Sequence, residues 1–151
     1  MLHLARRFFG FFRAKALAPS EQATISHMLT TPLQRLFYLQ RPEDQRHAFE
    51  VATRVARHPE CLEAALLHDV GKTQVDLGAF GRALATLWGM TPLPIAGQWR
   101  TYNDHGRVGA ELLKAHGAEP FTIAFTRMHP GPPPDGFDVS LWNELARADE
   151  V

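Results

Sequence analysis

The sequence predicts an all-α protein: a single compact multi-helix bundle preceded by an N-terminal amphipathic helix. Three observations carry this expectation. Strand-type alternation is almost absent. Residues that start helices, Pro, Ser, Thr and Asp, recur along the chain. Between them, apolar residues fall at steps of three and four. With 151 residues, 45% of them hydrophobic and 21% charged, the chain is long enough for one domain with its own core.

Each element has a local reason. Leu2, Ala5, Phe9, Phe12 and Ala16 mark one helical face near the N-terminus, with Arg6, Arg7, Arg13 and Lys15 elsewhere. The segment reads as a helix packed on the domain or on a dimer partner, with a membrane-surface helix as the second reading. Arg13 and Lys15 interrupt the apolar run too early for a signal peptide. Residues 1–19 are therefore assigned to a helical extension and 20–151 to the helical domain.

Ser20 is expected to cap a helix running to about Leu29. Thr31-Pro32 reads as N-cap and first helical position of a helix over 32–40. Pro42-Glu43-Asp44 opens a helix to about Arg57, with acidic residues at its positive end. Pro59 opens another that ends near His68. Leu77, Phe80, Leu84 and Leu87 predict a helix over 77–88, and 89–103 reads as a long loop. Asp104 is expected to cap a helix over 105–116 that Gly117 ends. Glu119-Pro120 starts the next, to about Met128. The Pro- and Gly-rich run 130–136 breaks the chain, and Asp138 caps the last helix.

Charge excludes some functions. Lys plus Arg and Asp plus Glu both number 16, so no net field favours nucleic acid or a membrane. No apolar run reaches the roughly 18 residues that a membrane span needs. The one cysteine, Cys61, has no intrachain partner, which points to a reducing, cytoplasmic setting. Histidine is over-used, with eight residues.

The placement of those histidines suggests a metal site. His47 shares a row with Val51 and Val55. Asp149 continues the row Leu141, Leu145, where a carboxylate is costly unless it is paired or metal-bound. Asp149 also stands in a last turn, where helices fray, so it needs tight packing to serve as a ligand. His68-Asp69 ends an apolar run, with the small residues Ala64 and Ala65 leaving space beside it. His105 opens one helix and His129 closes another. His47, His68, Asp69, His105, His129 and Asp149 together offer four imidazoles and two carboxylates. That mixture suits one or two divalent transition metals (Fe, Mn, Zn, Ni or Co) better than Mg or Ca. Two metals bridged by Asp69 and a hydroxide would use all six. His3, His27, His58 and His116 lack such context and are assigned to the surface. Glu43, one turn before His47, reads as an ordinary acid at a helix start, with a further metal ligand as the second reading.

These residues resemble the HD-domain superfamily of metal-dependent phosphohydrolases. The likeness lies in Asp44-Gln45-Arg46-His47-Ala48, Leu66-Leu67-His68-Asp69-Val70-Gly71-Lys72, His105-Gly106-Arg107-Val108-Gly109-Ala110, Arg127-Met128-His129 and Ala146-Arg147-Ala148-Asp149, and spans about 31–151. The resemblance implies an HD-type helical fold with His47, His68, Asp69 and Asp149 as the basic ligand set. It also implies that His105 and His129 bind a second ion and that Lys72 contacts a substrate phosphate. Nucleotidase and alarmone-hydrolase branches carry an acid where this chain has Lys72. Members of the HD-GYP type carry a Gly-Tyr-Pro signature where this chain has 130–136. Those substrates lose weight.

The expected activity is hydrolysis of a phosphomonoester or phosphodiester, nucleotide-like in character, with Asp69 and Lys72 catalytic. Lys72, Arg46, Arg100 and Arg107 are the candidates to hold the anionic substrate. Two rival readings remain on the same fold: a di-iron oxygenase, and a non-enzymatic ligand-sensing or scaffold module. The Phe-rich N-terminal helix leaves room for a homodimer.

Overall fold

The structure is a computed structural model, and it describes residues 15–74 and 104–150. Seven α-helices and one 3-10 turn make up these residues, with no strand among them. In chain order they are α1 (Pro19–Met28), α2 (Thr31–Leu39), α3 (Pro42–Arg54), α4 (Pro59–Leu67), a 3-10 turn (Val70–Gln74), α5 (His105–Ala115), α6 (Pro120–Met128) and α7 (Val139–Glu150). The expected helices over 1–19 and 77–88, and the expected loop over 89–103, fall largely or wholly outside the described residues.

Proline sets most helix starts. It stands in the first turn of α1, α2, α3, α4 and α6, where its missing N–H costs nothing. Ser20 does not cap α1. The helix already begins at Pro19, Ala18 is the cap residue, and the carboxylate of Glu21 accepts from the Ala18 N–H at 2.7 Å. Thr30 rather than Thr31 is the cap residue of α2. α3 stops at Arg54 and gives way to a turn before Pro59. Asp104 precedes α5 without capping it through its side chain, whereas Asp138 does cap α7, accepting from Ser140 N and Leu141 N.

Gly117, at φ +75°, ends α5 in a left-handed residue. The Ala118 N–H then reaches the Leu113 carbonyl at 3.0 Å and the Gly117 N–H reaches Lys114 at 3.3 Å. This turn folds α6 back onto α5. The Glu63 carboxylate of α4 accepts from Glu119 N at 2.8 Å and ties the start of α6 to α4.

The core runs through the middle of the bundle. α4 is its centre: Cys61, Ala64, Ala65, Leu66 and Leu67 are all fully buried. Ile25, Leu33, Phe37, Val51, Val55, Leu113, Phe125, Trp142 and Leu145 close around it. Burial of this apolar surface is the main driving term for the fold. Leu17 is also buried in this core, so the segment just before α1 packs on the domain rather than standing apart from it. No helix among the described residues is long and apolar enough to cross a membrane.

Candidate metal centre

The end of α4 supplies the first two groups. Its apolar residues are buried all round, so His68 and Asp69 at its C-terminal end are buried too, 4% and 5% exposed. His68 Nδ1 donates to the Ala65 carbonyl at 3.0 Å. That bond fixes which ring nitrogen keeps its proton and turns Nε2 into the interior. His68 Nε2 is buried and lacks a properly aligned hydrogen-bond partner.

α3 and α7 bring the next pair. His47 lies on the row with the buried Val51 and Val55, as its spacing predicts. Asp149 extends the buried row that includes Leu145 and is itself 6% exposed. The turn that holds Asp149 is tied down. Arg54 of α3 donates to the Ala148 carbonyl at 3.1 Å, and Arg57 pairs with Glu144.

Three imidazoles converge on the Asp149 carboxylate. His47 Nε2 lies 2.7 Å from Oδ1, His68 Nε2 lies 3.2 Å from Oδ1, and His129 Nε2 lies 3.0 Å from Oδ2. Asp69 faces the other side. Its Oδ1 lies 3.6 Å from His105 Nε2, and its Oδ2 lies 3.7 Å from His68 Nε2 and pairs with the Lys72 ammonium. All six expected ligands and Lys72 therefore meet in one cluster, with His68 between the two carboxylates.

A seam of glycines permits this. A Cβ on Gly71 would land on the His105 carbonyl and 2.7 Å from the Gly109 nitrogen. A Cβ on Gly109 would meet Gly71 N at 3.0 Å and the Thr126 side chain at 2.9 Å. Only hydrogen at both positions lets α5 lie against the 3-10 turn and bring His105 to Asp69.

Electrostatics follow from this crowding. Burial opposes charge on His68, but the Asp69 and Asp149 carboxylates outweigh it and raise the imidazole from 6.5 to about 9. Burial opposes charge on Asp69 as well, yet the cations Lys72, His68 and His105 hold its carboxyl well below the usual range. Asp149 is likewise held low against burial, by the charge of His68 and by hydrogen bonds from His129 and His47.

The donors fit a transition metal. His47, His68 and Asp69 each offer a ligand atom, and these atoms lie within 4.8 Å of one another. Imidazole with carboxylate is the donor chemistry of Fe, Mn, Zn, Ni and Co sites. The buried, unpartnered Nε2 of His68 is the kind of group a metal satisfies.

The arginines divide differently. Arg46 turns toward the segment before α1. It forks onto Glu21 at 2.7 and 2.8 Å and onto the carbonyls of Lys15 and Ala16 at 3.0 Å, clamping the segment before α1. With four such bonds, its guanidinium anchors the segment before α1. Arg107 is exposed on α5, and Arg100 lies outside the described residues. Among the histidines assigned to the surface, His27 and His116 are exposed, His58 is half-buried and accepts from Arg57 Nε at 3.2 Å, and His3 lies outside the described residues. Glu43 sits in the first turn of α3, 3.8 Å from Arg41.

One set of residues at the site escapes a search for ligands. Phe125 and Trp142 pack against His129 and the turn after it. The signal was present: Phe121, Phe125 and His129 stand at steps of four on one helix. No protein-family model, curated protein or solved structure matches the chain.

Proposed function

We propose that this chain is a metal-dependent phosphohydrolase of the HD type, acting on a small phosphomonoester or phosphodiester. The observation that carries the reading is Lys72 on Asp69: a cation held at the edge of a buried His/Asp cluster. Metal-assisted phosphate hydrolysis makes use of that combination, a carboxylate able to bind a metal and a nearby fixed positive charge. His47, His68, Asp69 and Asp149 would hold one ion. His105, from the Asp69 side, and His129, from the Asp149 side, would serve a second. Such an ion supplies Lewis-acid neutralisation of a phosphoryl oxygen and lowers the pKa of attacking water.

The chain's own residues then have distinct tasks. Lys72 compensates negative charge on a phosphate oxygen placed beside Asp69. The Ala65 carbonyl holds the His68 tautomer, and the buried walls of α4 and α6 exclude bulk water and raise the value of each charge. His47 and His105, 25% and 30% exposed, form the accessible rim through which a phosphate would enter. A nucleotide-like substrate, cytoplasmic residence and homodimer formation belong to the same proposal.

The test is metal analysis of the purified protein, then a screen of phosphomonoesters and phosphodiesters for phosphate release. Metal together with hydrolysis, both lost in His68→Ala and Asp69→Ala while helical circular dichroism persists, supports the reading. Iron-dependent oxygen consumption without phosphate release would move the protein to the oxygenase alternative. A metal-free protein that binds a phosphorylated ligand unchanged would make it a sensing module.

A further inference from the structure

Metal-binding histidines are ordinarily aimed by a hydrogen bond through the ring nitrogen that does not bind the metal. His68 has one. His129 does not: its Nδ1 is buried without a hydrogen-bond partner. The χ2 torsion of histidine is intrinsically broad, so something else must set its plane.

Aromatic faces do so. The His129 ring stacks on Phe125 at 4.7 Å with 17° between planes. Phe125 stacks in turn on Phe121 at 6.2 Å and 18°. Because these three residues repeat every fourth position on α6 and just beyond it, their rings form one column along the helix. Trp142 of α7 lies across that column, 4.9 Å from Phe125 and 5.9 Å from Phe121. Its indole N–H donates to the Gly131 carbonyl at 3.1 Å, two residues past His129. The same side chain therefore grips both the column and the turn that carries the imidazole.

We infer that Phe125 and Trp142 are positioning residues that set the plane of the His129 imidazole and aim its Nε2 at the cluster. The inference rests on the metal-centre reading for its consequence, but not for its geometry. Both side chains are buried at 1% exposure or less, so they do not touch a substrate. Phe125 also meets the His68 ring edge-on at 6.3 Å, but His68 is already aimed by the Ala65 carbonyl, so the positioning falls on His129, whose ring takes the stacked face.

The test uses the full chain with Phe125→Leu, which keeps apolar bulk and removes the flat face, and Trp142→Phe, which keeps an aromatic ring and removes the N–H donor. Co(II) is the probe, read by its visible absorption and by titration. Each variant is expected to keep the helical circular dichroism of the wild type and to lose about 10–100-fold in Co(II) affinity, the usual effect of removing a ligand's supporting partner. The discriminating measurement is the Phe125→Leu/His129→Ala double variant. If Phe125 acts through His129, it binds Co(II) no more weakly than His129→Ala alone.

An equal, additive loss in the His129→Ala background, or wild-type Co(II) binding by Phe125→Leu, overturns the inference. If the wild type takes up no Co(II), the metal-centre reading fails. The positioning claim is then decided by the side-chain nitrogen NMR signals of His129. They shift and broaden in Phe125→Leu if the column holds the ring, and stay unchanged if it does not. The same NMR comparison serves if either variant proves too unstable for titration, using the Trp142→Phe or Phe125→Leu protein that remains folded.

Discussion

The Nε2 of His47 and the Oδ1 of Asp149 meet at 2.7 Å although 102 residues separate them in the chain. α3 and α7 are held together at this point by Arg54 on the Ala148 carbonyl and by the packing of Val51, Leu145 and Ala148. Asp149 is thus a folded-in group, and its charge matters to three imidazoles at once. Asp149→Asn keeps its size and removes that charge. We expect metal affinity to fall at least about tenfold and the metal-free protein to lose about 1–3 kcal/mol. Titration calorimetry with Zn(II) and urea unfolding measure the two effects.

The pH dependence has a definite sign. His68 is raised from 6.5 to about 9 in the folded protein. A raised base binds its proton more tightly folded than unfolded, so the stability it adds is fully present below pH 6.5 and is lost as pH rises through 9. Metal must displace the Nε2 proton, so apparent metal affinity should climb over the same window. Metal-free protein that unfolds in urea at the same midpoint at pH 6 and pH 9 would contradict this account. In His68→Gln the slope should be much reduced.

Lys72 is the principal countercharge of Asp69. Lys72→Met leaves a buried carboxylate short of its cation, and the metal-free protein should lose about 3–5 kcal/mol. A divalent ion replaces the missing charge, so added Mn(II) or Zn(II) should restore most of the melting temperature. Under the proposed function hydrolysis should not recover with it, because the cation assigned there to the substrate phosphate is gone. Thermal scans with and without metal, paired with phosphate-release assays, separate the two roles.

Gly71→Ala tests the glycine seam. Its new methyl meets backbone, the His105 carbonyl and the Gly109 nitrogen, and backbone cannot rotate aside. The cost should reach about 2–3 kcal/mol, the upper part of the range for overpacking. The shift should pull His105 from Asp69 and weaken a second metal more than a first. Metal stoichiometry by equilibrium dialysis reports that difference.

Arg46→Ala provides the contrast. Its partners are Glu21 and two carbonyls before α1, so the variant should melt earlier while metal stoichiometry stays at the wild-type value. Glu21, lowered from 4.5 to about 2 chiefly by the hydrogen bond from Arg46, contributes stability above pH 4.5 that fades as pH falls toward 2. An acid titration of melting temperature should lose that component in the variant. An unchanged metal site with altered phosphate-ester affinity would instead return Arg46 to the substrate-binding residues.

The helical architecture and the members of the cluster are legible along the chain. Proline and aspartate mark helix starts through local backbone chemistry, and a row such as Leu141, Leu145, Asp149 states which face is buried. Such signals act over one or two turns, so they survive without knowledge of the rest of the chain. Their errors are also local: Ala18 starts α1 because a Glu21 carboxylate three residues on replaces the side-chain cap that Ser20 was expected to supply.

What each side chain does once in place depends on how the helices pack against one another. Nothing within a turn of Arg46 names its partner, a carboxylate 25 positions away. His129 and His105 look alike in sequence, yet one lies on Asp149 behind an aromatic column and the other on Asp69 across a glycine seam. Partner choice of this kind depends on distances between helices. Those distances come from the close packing of Phe125, Trp142, Gly71 and Gly109, which local periodicity does not encode.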